Sequence, residues 1–371
     1  MKNPREKLIV LTLFLIICFL LFATVIFSES NLSLSARSAV LYEPSEFGFI
    51  YSKNADIRLP MASTTKIMTA LVALENSSCD AIVDIDDRAI GIEGSSLYLK
   101  SGEAMTMKDL LYGLMLRSAN DAASAIAYNI SGSIEDFAVL MNKKALDLKL
   151  SNTHFINPHG LDSPEHYTTA KELAVIAGEA LKNDIFKEIV STKKVTITNL
   201  DGEARLVVNH NKLLTLYEDS IGVKTGFTKK SGRCLVGAAE RDGLTFITVT
   251  INAPDDWNDH IKLFNYGYSF LKSHNLASPE SFKYRIPVIN SDKQMIDVTN
   301  IDSFTITSRR TENEPEYEII LPKYVTAPIS CGDILGKVVF TVDGEYIGEI
   351  PLIAAEDANR IKEKGFFSFL K

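Results

Sequence analysis

Residues 58–74 read RLPMASTTKIMTALVAL, a serine, two threonines and a lysine at the head of an otherwise apolar helical run. One reading is a helix N-terminus, in which Ser63 or a neighbouring threonine accepts orphan amide hydrogens and Pro60 marks the boundary. The other is chemical. Ser63 and Lys66 are three apart, so on a helix hydroxyl and amine project from one face within reach of each other, as a nucleophile and its base require.

The rest of the chain decides between them. At 371 residues it suggests about two domains, and with 46% hydrophobic residues it has enough apolar side chains for a full core. The net charge of −8 gives no basic surface for a phosphate backbone, so no nucleic-acid partner is expected.

Residues 1–30 differ in kind. Lys2, Arg5 and Lys7 precede an apolar run over residues 8–27, the pattern of an export signal. The run is long for a cleaved peptide and near the length of a membrane span, so signal peptide and uncleaved anchor both stay open. Either way the remainder is expected to work outside the membrane, at its outer face or secreted to the wall. Cys18 lies in this segment, leaving Cys79, Cys234 and Cys331. Three cysteines, with no Cys-x-x-Cys pair and no histidine cluster, support neither a disulfide framework nor a metal site. Cys234, in GRCLVGAAE, reads as a buried inert thiol on a strand.

Residues 36–52 predict a hairpin, and a helical block follows: residues 63–74, 107–116, 122–130, 134–148 and 168–183. After Asn209 the pattern returns to strands, SIGVKTGF, GRCLVGAAE and LTFITVTIN, the last two joined by an Arg-Asp-Gly turn, before a helix over residues 256–271. Strands on both sides of a helical insertion imply an antiparallel sheet made from distant segments and packed on helices, an α+β domain over residues 31–275. Short strand-like runs punctuated by Pro, Gly and Asp-Gly make residues 281–354 a small all-β domain, read as a spacer or docking module. Residues 355–371 end in FFSFLK, read either as an amphipathic membrane-associating tail or as a frayed terminus.

Single motifs prove little, because Ser-x-x-Lys occurs four times, and Ser-x-Asn and Lys-Thr/Ser-Gly three times each. Context selects one set. Ser63 opens an apolar helix, Ser118 and Asn120 lie in the break between two helices, and Lys224, Thr225 and Gly226 lie on a predicted strand. A serine one turn before a lysine, a Ser-x-Asn loop and a Lys-Thr-Gly strand are together the signature of serine β-lactamases and penicillin-binding proteins.

With these motifs the sequence resembles the low-molecular-mass penicillin-binding proteins that act as serine D-alanyl-D-alanine carboxypeptidases, the S11 peptidases. Residues 155–174, 208–214 and 234–249 and the β-rich C-terminal part carry the likeness further. The resemblance implies a β-lactamase/transpeptidase-like fold in the first domain. A serine hydroxyl needs a base, and a lysine serves only if its pKa is lowered, which burial and a second cation achieve; Lys66 with Lys224 facing it fits. Lys224 and Thr225 offer an ammonium and a hydroxyl to a terminal carboxylate, and Gly226 lets an extended peptide approach the strand edge. The resemblance further implies that Ser118 relays a proton to the leaving amine, that Asn120 holds Lys66 and the substrate amide, and that the backbone N–H groups of Ser63 and Phe227 hold the oxyanion. It implies a peptidoglycan stem peptide as substrate, β-lactams as covalent inhibitors, and no cofactor.

Two other readings are kept. A β-lactamase would need a deacylating base, for which Glu165 and Glu172 are the acids near a suitable position, each also readable as a solvated charge. A non-catalytic wall-binding protein would keep the fold alone. His154, His159 and His166 read as loop-capping residues, Trp257 as capping or packing the last helix, and residues 86–96, DDRAIGIEGSS, as a solvated loop.

Overall fold

The computed structural model describes residues 32–309 and 313–361. The expected N-terminal signal and the terminal phenylalanines of the tail therefore lie outside the described residues. The residues from Ala36 onward form one compact unit.

The chain opens with the expected hairpin, β1 (Ser38–Glu43) and β2 (Gly48–Lys53). A single 3-10 turn, Ala62–Thr65, leads into α1 (Lys66–Asn76). Short strands β3 (Ile82–Asp84) and β4 (Ala104–Thr106) pair, and α2 (Met107–Tyr112) follows. After a π-type turn, Gly113–Arg117, come α3 (Asn120–Ser131), α4 (Ile134–Asp147), α5 (Ala170–Leu181) and α6 (Asp184–Ser191). A hairpin, β5 (Lys194–Thr198) with β6 (Ala204–Val208), and the short α7 (Leu213–Leu216) precede the last strands, β7 (Ser220–Thr228), β8 (Gly232–Arg241) and β9 (Leu244–Ile251). Helix α8 (Asp256–Phe270) closes this part. The expectation that strands resume only after Asn209 is thus corrected by the pairs β3–β4 and β5–β6; the Asp-Gly turn of the second pair sits between β-branched runs.

The main sheet has the order β2-β1-β9-β8-β7, antiparallel throughout, so its two edges come from opposite ends of this part of the sequence. Helices cover both faces. Successive strand side chains point to opposite faces, and on β9 Ile247 contacts the space beside Gly178 of α5, whereas Phe246 packs on Gly267 of α8. That double burial explains why LTFITVTI is nearly unbroken in apolar and threonine residues instead of alternating with charges. Helix α1 runs through the core with Ile67, Met68, Leu71 and Val72 buried. Such a core helix keeps the residues at its head fixed.

Strand β7 is one edge, and Gly226 sits where it crosses the 3-10 turn. A Cβ at Gly226 would lie 3.1 Å from the backbone nitrogens of both Ser63 and Thr64. The residue is glycine because strand and turn touch there.

Beyond α8 the chain is all β. Strand β10 (Leu271–Ala277) pairs with β13 (Phe304–Arg309), and a six-stranded sheet has the order β14-β16-β17-β12-β11-β15. These strands are β11 (Lys283–Ile289), β12 (Met295–Thr299), β14 (Glu316–Ile320), β15 (Val325–Thr326), β16 (Ile334–Val342) and β17 (Glu345–Ala354). Ile286, Val298, Val338, Phe340, Ile350 and Leu352 form its separate core. Ala358 and Arg360 bridge back to Ile329 and Ser291.

Candidate active site

The helix-cap reading of the serine is corrected: neither Ser63 nor the threonines cap α1 through a side chain. Thr64 and Thr65 donate their hydroxyls backward, to the carbonyls of Met61 and Ala62. This leaves the Ser63 hydroxyl available to a cleft of about 420 Å³, which Ser118, Thr225, Gly226 and Phe227 also line.

Lys66, the first residue of α1, is completely buried. Its Nζ lies 3.1 Å from Ser63 Oγ, 2.7 Å from Asn120 Oδ1 and 2.5 Å from the carbonyl oxygen of His159. Burial holds its pKa well below the ordinary lysine value, the nearby Lys224 ammonium lowers it further, and Asp121 opposes them. Lys224 is buried as well, and burial pushes it down to about 7. Its Nζ donates to the Thr225 carbonyl at 2.9 Å.

Three contacts of Lys66 fix its chemistry. The His159 carbonyl accepts only, and the Asn120 amide is oriented by its own Nδ2–H, which donates to the Glu93 carbonyl. A neutral amine has two hydrogens and one lone pair. In the ammonium form the third hydrogen goes to Ser63 Oγ; in the neutral form the two carbonyl oxygens can take both hydrogens, which leaves the lone pair for the Ser63 hydroxyl.

The Ser-x-Asn break is built by local backbone geometry. The π-type turn ends at Ser118, whose φ of 63° and ψ of 33° place it in the left-handed region. Its N–H reaches back to the Gly113 carbonyl. Two residues later, after Ala119, α3 begins at Asn120, so Asn120 lies inside the helix and not in the break. Asp121 fastens the adjacent loop, accepting from the Leu97 and Leu99 amides and the Ser96 hydroxyl. Residues 86–96 are therefore only partly a solvated loop: the carbonyl of Glu93 holds Asn120, and the Ser95 carbonyl accepts from the Asn120 amide at 2.7 Å.

The segment 155–174 supplies what residue types did not disclose. Gly160, with φ +90°, packs so closely that a Cβ would fall 2.0 Å from the Ala62 carbonyl oxygen. This close approach brings the His159 carbonyl to Lys66. His166 clamps the same turn. Thr65 Oγ1 donates to Ala62, so His166 Nε2–H donates to it at 2.8 Å, while His166 Nδ1 accepts from the Ile156 amide. Burial, with His154 and Lys66 nearby, pushes the His166 imidazole down to about 4, so it stays neutral.

The two acids kept for a β-lactamase are engaged elsewhere. Glu172 accepts from the Asn152 amide and the Thr153 hydroxyl and stabilises the start of α5, and Glu165 is exposed. Neither lines the cleft. Trp257 does line it, with Arg233 and Asp256, so it does more than pack α8. His210 also faces the cleft, its pKa lowered by burial and then by Lys224 and Arg117. Cys234 is buried on β8, its thiol pushed up to about 11 by burial. Among the described residues no group of three His, Cys, Asp or Glu side chains is placed to hold a metal ion.

Comparison with known proteins adds to this geometry. The family described as D-alanyl-D-alanine carboxypeptidase, peptidase S11, matches residues 25–255. The chain belongs to this family. A second family, described as the C-terminal domain of penicillin-binding protein 5, matches residues 272–360. D-alanyl-D-alanine carboxypeptidase DacF of Bacillus subtilis is 34% identical over 98% of this chain and 97% of its own. The crystal structure of D-alanyl-D-alanine carboxypeptidase DacD from Francisella tularensis matches with a TM-score of 0.64 and 26% identity, covering 91% of this chain and 96% of that one. Penicillin-binding protein 5 from Haemophilus influenzae gives 0.62 and 27%, covering 88% and 98%. The transpeptidase-like α+β fold with an all-β domain after it is that of this S11 carboxypeptidase family.

Proposed function

We propose that this S11 family member is a serine-type D-alanyl-D-alanine carboxypeptidase in which Ser63 attacks the penultimate D-alanine carbonyl of a peptidoglycan stem peptide. The observation that supports it most is the buried Lys66 amine, 3.1 Å from Ser63 Oγ with two carbonyl acceptors for its hydrogens. As Oγ attacks, its proton passes to Lys66. The N–H groups of Ser63 and Phe227 hold the oxyanion, and Gly226 keeps turn and strand close enough to share it. On collapse the C–N bond breaks, and Ser118 relays a proton to the departing D-alanine amine. Water then hydrolyses the ester. Lys224 and Thr225 receive the terminal carboxylate, and Asn120 holds both Lys66 and the substrate amide.

Penicillins present the same terminus to Ser63, and β-lactam inhibition is general for the family. With Glu165 and Glu172 outside the cleft and its lining carboxylate, Asp256, paired with Arg233, no free carboxylate among the described residues is placed as a base for rapid release of the penicilloyl ester, which favours the carboxypeptidase over the β-lactamase. The enzyme acts outside the cytoplasmic membrane, through an exported segment over residues 31–275 followed by a β-rich domain over 281–354. Residues 1–30, as a cleaved signal or an uncleaved anchor, direct it there, and an amphipathic tail within 355–371 would add a contact with the membrane surface.

Free D-alanine released from diacetyl-Lys-D-Ala-D-Ala tests this reading. Release that a penicillin abolishes, together with a fluorescent-penicillin label that survives on a denaturing gel, is the expected result. Rapid turnover of penicillin without D-alanine release would leave the β-lactamase, and no labelling at all the non-catalytic binder.

Gly226→Ala is a more local test. Its methyl meets the Ser63 and Thr64 nitrogens at 3.1 Å, so the turn must give by tenths of an ångström. Penicillin acylation is expected to slow by about tenfold, since small misplacements of reacting groups are costly. An unchanged rate would show that the spacing of β7 and the turn does not matter.

A further inference from the structure

Beyond the groups around Ser63, the cleft is lined by Arg233, Asp256 and Trp257. Asp256 is buried, and its Oδ1 accepts both from Arg233 Nη2 at 2.8 Å and from the Trp257 amide at 2.9 Å. The guanidinium also lies over the Trp257 ring, 5.5 Å from its centroid. Held from two sides, Arg233 still exposes 43% of its side chain. Among the residues that line the cleft Asp256 is the one carboxylate and is buried, whereas Arg233 and Lys212 are exposed. The exposed charge is cationic.

The place of Arg233 on β8, beside β7, says what it meets. In the reading proposed above, the substrate's terminal carboxylate docks at Lys224 and Thr225, and its acyl side runs toward Phe227. The substrate thus lies antiparallel on the free edge of β7. At about 3.3 Å per residue, the third residue from the substrate's C-terminus comes level with Phe227, two positions beyond Thr225. Phe227 pairs directly with Arg233 on β8, and cross-strand partners share one face.

We propose that Arg233, oriented by Asp256 and Trp257, is a specificity residue that takes a side-chain carboxylate on the third residue from the stem peptide's C-terminus. The substrate class is then a stem peptide carrying a 2,6-diaminoheptanedioic acid at that position, in preference to one carrying lysine. A planar guanidinium pairs with carboxylate through two parallel hydrogen bonds, and lysine's lone ammonium would meet a second cation instead.

The inference rests on the carboxypeptidase reading, and its test separates the two. D-alanine release is measured from two pentapeptides identical except for diaminoheptanedioate or lysine at the third position, with diacetyl-Lys-D-Ala-D-Ala alongside. The wild-type ratio of kcat/KM is expected to favour the diacid by about tenfold, the scale of a charge-assisted hydrogen bond at a half-exposed site. Arg233→Gln brings the ratio near one, and Arg233→Lys, with its charge but no fork, gives an intermediate ratio. A ratio near one in the wild type, or one that neither variant changes, overturns the assignment while the carboxypeptidase stands. Absence of release from all three peptides overturns both.

Discussion

Replacing Ser63 with alanine is expected to abolish D-alanine release, by at least about 10⁴-fold, and to eliminate covalent labelling by penicillin. The size follows from what is removed. Without Oγ there is no atom to form the ester, and what stays in the cleft is only binding and oxyanion stabilisation, which act on attack by water. The change should cost little stability. Ser63 is half-buried at the cleft, its hydroxyl caps no helix, and the turn that carries it is held by Thr64, Thr65, His166 and the backbone around Gly160. A thermal melt close to that of the wild type, with no label and no release, is the expected triple result. Labelling that persists in the folded variant would mean that another hydroxyl of the cleft, such as that of Ser118, forms the ester.

How much of this site the sequence displays depends on whether side chains or backbone supply each part. The serine, the two lysines, Asn120 and the Lys-Thr-Gly strand are visible because their chemistry resides in residue type and spacing. The setting of each is visible too, since apolar periodicity marks α1 and β7 without tertiary information. The third partner of Lys66 is not. It is the carbonyl of His159, which any residue offers, brought into place by the bare backbone of Gly160 against Ala62. The traces left in sequence are the Asn-Pro-His-Gly turn and its glycine. The left-handed Ser118 is hidden for a similar reason: a π-type turn differs from a helix by one residue in hydrogen-bond span, and LLYGLML reads equally well as either. Arg233, Asp256 and Trp257 come from β8 and α8, and only the sheet's pairing of Phe227 with Arg233 shows that they border the cleft. The hairpin β5–β6 stayed concealed because most of its side chains are solvent-exposed and it lies between a helix and a loop.

Lys66→Arg is expected to slow penicillin acylation by about 10³-fold, the scale of losing a positioned general base. Arginine keeps the positive charge but cannot release its proton, so no lone pair reaches Ser63. The same reasoning fixes a pH dependence in the wild-type enzyme. Protonated Lys66 is inactive, so acylation rises with pH as it loses its proton, and the midpoint lies well below the ordinary lysine value because burial and the Lys224 ammonium disfavour the charged form. Removing the Lys224 charge with Lys224→Gln takes away one of those two causes. The charged form of Lys66 then becomes easier to keep, its pKa rises, and the acid limb of the acylation profile moves to higher pH. Lys224→Arg, which retains a cation, leaves the limb near its wild-type position even if carboxylate binding suffers, so the pair of variants separates charge from docking. A limb that stays in place with glutamine, or moves to lower pH, would show that Lys224 does not poise the base. Burial alone would then have to account for an amine able to take a proton from Ser63.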